Sequence, residues 1–80
     1  MEEIEKMKLT NSIAEIQNKI KNYDRDSAIK LIKKVREEHK GKEQIVYVLS
    51  NVPLEMGTDE MIIKTLQAEE IRLTLKLKNE

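Results

Sequence analysis

Cysteine is missing from this chain, and so are tryptophan and phenylalanine. Without cysteine there is no disulfide framework, no cysteine-based zinc site and no thiol chemistry, so packing alone must hold the core. Tyr23 and Tyr47 are the only aromatic residues, which removes the stacking platforms on which single-stranded nucleic-acid binders lay out bases. No apolar run approaches the about 20 residues needed to span a membrane, and Met1 leads straight into Glu2 and Glu3 rather than into a signal-like segment. No membrane association and a cytoplasmic location are therefore expected.

What is present is charge, at 38% of the residues with a net of zero. So high a share can signal disorder, but the apolar residues are patterned rather than scattered, which indicates a folded chain. Eighty residues make one domain, 1–80, that buries only about 60 to 65% of the surface its unfolded chain exposes. Its stability margin is thin, and association with a second copy is a natural remedy.

Leu9, Ile13, Ile16, Ile20 and Tyr23 recur at steps of four and three, the mark of one helical face. Ser12 and Glu15 have capping-box spacing, while Ile4 and Met7 lie off the stripe, so residues 3 to 9 read either as a strand or as an extra helical turn. Asp24-Arg25-Asp26-Ser27 reads as a turn and a new helix start, with Ala28, Leu31, Ile32 and Val35 on the buried face and Gly41 as the left-handed stop near Lys40. Two helices joined so tightly are expected to pack as an antiparallel hairpin over about 2–40.

Beyond Gly41, Ile45-Val46-Tyr47-Val48-Leu49 is a β-branched and aromatic run, as in a strand covered on both faces. Thr58 can cap a helix to about Ala68, with Asp59 and Glu60 favourable at its start and Met61, Ile62 and Leu66 inward. Ile71, Leu73, Leu75 and Leu77 alternate with Arg72, Thr74, Lys76 and Lys78, the period-two pattern of a strand with one wet face. The expected fold is thus α/β (α+β), a helical hairpin followed by a strand-helix-strand unit over 43–78. Its sheet of two or three strands would be completed by residues 3 to 9 or by dimerisation.

Chemistry-bearing residues are few. His39 is the only histidine, and a cation at a helix C-terminus explains it as a surface feature. Ser12, Ser27 and Ser50 have no evident histidine partner, and the first two fit caps. Glu55, Asp59 and Glu60 could in principle hold a hard cation or divide acid and base roles, but acids belong in a first helical turn on dipole grounds alone. No cofactor, no metal and no catalytic residue are expected.

Charge is segregated under the zero total: 19–42 carries a net +5 and 43–70 a net −5. Lys30, Lys33, Lys34 and Arg36 would form a basic face on the second helix, which could engage nucleic-acid phosphates. The loop Val52-Pro53-Leu54-Glu55-Met56 puts apolar side chains where a connection should be polar, and Pro53 ends the strand at Val52. That loop either plugs the core or meets a partner. The leading expectation is a non-enzymatic regulator, adaptor or inhibitor that binds another protein or a second copy of itself, most naturally as a homodimer. Val52, Leu54 and Met56 would be its anchors, with Glu55, Asp59 and Glu60 as rim. A DNA-binding regulator using the basic face is the alternative, and a carboxylate enzyme or metal protein the weakest.

Overall fold

The computed structural model describes residues 2–39 and 53–79 and contains three helices: α1 (Glu3–Lys21), α2 (Arg25–Glu38) and α3 (Asp59–Lys78), with a short 3-10 turn η1 (Leu54–Met56) before α3. No strand occurs among the described residues, which overturns the α/β expectation in favour of an all-helical bundle. The strand expected at 45–49 lies outside the described residues. The one expected at 71–77 is the second half of α3.

The physical reason lies in what α3 lacks. No glycine or proline interrupts Asp59 to Lys78, so nothing stops the helix that Thr58 starts. Thr58 accepts the Met61 amide at 3.2 Å, and the acids Asp59 and Glu60 lie at the positive end of the dipole. At helical spacing Ile62, Leu66, Glu69 and Leu73 stack on one face and are fully buried, with Leu77 packed against them. The alternate leucines therefore divide: Leu73 and Leu77 point inward, whereas Ile71 and Leu75 point outward. The β-compatible threonines are absorbed by bonding back to the previous turn, Thr65 to the Met61 carbonyl and Thr74 to the Glu70 carbonyl, both at 2.8 Å. Met61, expected inward, is exposed.

Residues 3 to 9 are helical rather than extended, and Ser12 is not a cap but a buried residue inside α1. Ser27, also expected as a cap, lies inside α2; the cap is Asp24, which accepts the Ser27 amide at 3.0 Å. That bond, first through the Ser27 side chain and then its amide, holds the Asp24 carboxyl below its ordinary range. The buried face of α2 is Ala28, Ile29, Ile32 and Val35, as expected except that Ile29 stands in place of Leu31, which is only partly buried.

α3 is the central element. It packs most extensively on α1, then on α2, while α1 and α2 touch least, so the expected hairpin is splayed around α3. Asp59, at the start of α3, meets Tyr23 and Arg25 beside the α1–α2 turn, and Arg72, near its end, reaches His39 at the end of α2. α3 is therefore antiparallel to α1 and parallel to α2.

Candidate functional site

Three polar constructions were assembled from distant parts of the sequence. At the end of the bundle where α3 begins, Arg25 donates to Asp59 Oδ1 at 3.0 Å and to the carbonyls of Glu55 and Gly57 at 2.8 and 2.7 Å. Tyr23 donates its hydroxyl to the same Asp59 oxygen at 2.7 Å. Asp59 is accordingly held below the ordinary carboxyl range, by the Tyr23 hydroxyl first and Arg25 second. Lys33 binds Glu55 and lowers its carboxyl in the same sense, and Glu60 pairs with Lys64 at 3.2 Å. The three acids once grouped as a candidate rim or cation site are thus each tied to a different cation.

This arrangement fixes η1. Leu54 is 5% exposed and belongs to the core, while Met56 is 76% exposed. The loop is a plug at Leu54 and an open surface at Met56. Val52 lies outside the described residues.

The basic face of α2 is engaged by acids of all three elements around it. Lys33 binds Glu55, Lys34 lies 3.6 Å from Glu15, and Arg36 lies 3.7 Å from Glu69, leaving Lys30 as the exposed lysine beyond these pairs. Arg36 is only partly exposed because it turns toward the core rather than outward.

The second construction is inside the protein. Glu69 is fully buried on α3 and accepts from Arg72 at 3.0 Å, one turn along the same helix. Its other oxygen faces Arg36. Charge at a position where the helical stripe calls for a hydrophobe was invisible in the sequence, because Arg72 read as the wet face of the expected strand and Glu69 fell between that strand and a helix expected to end near Ala68.

The third joins the opposite end. Arg72 donates to the His39 carbonyl, which caps α2, and the imidazole Nε2 of His39 shares a 2.9 Å hydrogen bond with Ser12 Oγ. His39 is buried, not on the surface as expected, and Ser12 has the histidine partner that sequence reading did not find. Burial pushes the imidazole below its ordinary value, with Lys76, Arg72 and Lys8 adding to the effect and Glu38 opposing it. A serine in mid-helix has its neighbouring backbone amides committed to the helix ladder. The pair is a latch between α1 and α2. Beside it lies a cleft of about 290 Å³ lined by Glu5, Lys8, Leu9, Glu38, His39 and Lys76.

Large apolar side chains also remain in solvent. On α1 these are Ile4 (63% exposed) and Met7 (57%), and on α3 Ile71 (54%) and Leu75 (43%), all toward the His39 end. Among the described residues no group of three His, Asp or Glu side chains could hold a metal ion, and no helix is long and apolar enough to cross a membrane. No protein-family model matches the chain, and neither the curated proteins nor the solved structures hold a match to it.

Proposed function

We propose that this protein acts by binding, as a small regulator, adaptor or inhibitor whose target is another protein or a second copy of itself. The observation that carries the reading is the set of outward apolar side chains at one end of the bundle: Ile4, Met7, Ile71 and Leu75. A domain this small needs apolar area for its own core, and leaving several large apolar groups in water favours a surface that a partner covers. Leu54 serves the core, so of the loop's apolar residues among those described Met56 remains as a contact, flanked by Glu55, Asp59 and Glu60. Dimerisation by completing a sheet edge falls away with the sheet.

The duplex-binding reading is the weaker one, because Lys33, Lys34 and Arg36 already face carboxylates. Phosphate contacts need cations that release their counterions on binding.

The test compares the wild-type protein with a Met7→Asp/Ile71→Asp variant as immobilised bait, both first checked for equal helix content by circular dichroism. Proteins retained by the wild type and lost from the variant support the reading. Identical retention by both overturns it.

A further inference from the structure

α1 has two faces. Leu9 and Ile16 are buried in the bundle, with Ser12, Ile13 and Ile20 beside them. On the opposite side Ile4, Met7, Asn11, Ala14 and Asn18 recur at steps of three and four, and all are exposed. In heptad terms these are the a and d positions, and Leu9 and Ile16 are at f, directly behind them. Among the described residues nothing covers this outer stripe.

We infer that a second copy of this chain covers it, α1 lying parallel to α1 about a two-fold axis. The inference rests on the protein-binding reading above and specifies the partner. Two observations choose occupant and orientation. In a parallel pair Ile4 meets Ile4, Met7 meets Met7, Asn11 meets Asn11 and Ala14 meets Ala14, so like packs on like. An antiparallel pair overlapping along the whole of α1 would set Ile4 against Lys21 and Met7 against Asn18, burying apolar against polar groups, and one shifted to place Ile4 on Met7 would overlap over residues 3–8 alone.

The second observation is charge. Glu3 occupies a g position and Lys8 the following e position, the two sites that face each other across a parallel seam. Each dimer would hold this pairing twice, Glu3 of one copy with Lys8 of the other. Neither residue is in an ion pair inside the described fold, so both are available. Asn11 at an a position adds a polar layer, the device that fixes a parallel register at some cost in stability. With only two layers of large apolar side chains, Ile4 and Met7, the association is weak, at about 10 µM to 1 mM.

Sedimentation equilibrium on the whole chain reads the association directly. The mean mass should climb from the monomer value of 9.4 kDa toward twice that as concentration rises to about 1 mM. Ile4→Asp/Met7→Asp should stay monomeric with unchanged helix content; Lys8→Glu should weaken the dimer at least several-fold, and adding Glu3→Lys should restore it. Because the chain has no cysteine, Asn11→Cys reports orientation: in a parallel seam it should form a disulfide dimer, while Lys30→Cys should not. A wild type that stays monomeric throughout overturns the inference and leaves binding of other proteins to the capture comparison. Association that survives Ile4→Asp/Met7→Asp, or that cross-links Lys30→Cys as readily as Asn11→Cys, overturns the α1 seam while self-binding stands.

Discussion

Ser12 and His39, 27 positions apart, share a buried hydrogen bond of 2.9 Å that fastens the middle of α1 to the end of α2, the two helices that pack least on each other. The imidazole pays for this position in basicity, being buried and surrounded by Lys8 from α1 and Arg72 and Lys76 from α3, with only Glu38 opposing.

The pH dependence of stability follows from that shift. Between the ordinary imidazole value of 6.5 and its lowered value in the fold, the unfolded chain binds more protons than the folded one, so stability rises with pH. The contribution is complete above about 6.5 and is lost as pH falls through the folded value. Urea unfolding should show a lower midpoint at pH 5.5 than at 7.5. As the chain has a single histidine, one proton NMR titration checks the cause: its midpoint must lie below 6.5. Ser12→Ala, which leaves a buried ring nitrogen without its partner, should cost about 1 to 3 kcal/mol.

Glu69 is expected to be among the most sensitive positions. Glu69→Leu leaves the buried Arg72 and the nearby Arg36 without their shared carboxylate, and removing one member of a buried ion pair typically costs about 3 to 5 kcal/mol. Glu69→Leu combined with Arg72→Met should lose less than the sum of the single changes, because the second substitution removes a charge the first has stranded. Denaturant melts of the wild type, both singles and the double close that cycle. Additive losses would show that the two residues act independently.

Leu54 and Met56, two residues apart, should behave oppositely. Leu54→Ala opens a cavity in the core and should lose about 2 to 5 kcal/mol, whereas Met56→Ala, in open solvent, should stay within about 0.5 kcal/mol of the wild type. Thermal melts of the two variants decide it. Equal losses would mean that η1 does not discriminate between its two apolar side chains.

Local chemistry was the most legible part of the sequence. The Thr58 cap was legible from composition alone, and Asp24-Arg25-Asp26-Ser27 was legible as a helix start, although the residue that caps there is Asp24 and not Ser27. The stripe of α1 was equally readable, including the observation that Ile4 and Met7 fall off it. The second half of α3 was misread because Ile71 to Lys78 satisfies the strand period for its whole length, and only continuity with the preceding helix argues otherwise. Leu73 and Leu77 fit both patterns. What decided the matter was tertiary: the buried row from Ile62 through Leu73 extends the helical face without a break. The Ser12–His39 latch and the Glu69–Arg72 pair were hidden for a different reason. Each residue had a sufficient local explanation, as cap, helix end or solvated charge; the partner of Ser12 is set by where the end of α2 lies on α1, and the three-residue spacing of Glu69 and Arg72 becomes a pair only when α3 is one continuous helix.

Arg25 gathers the start of α2, the turn η1 and the start of α3 onto one guanidinium, through Asp59 and the carbonyls of Glu55 and Gly57. Helix ends ordinarily fray one at a time, each at its own small free energy. Here the start of α2 and a stretch 30 to 34 residues further along the chain share a single fastening, so loosening either releases the bonds of the other. That end of the molecule opens as one cooperative unit.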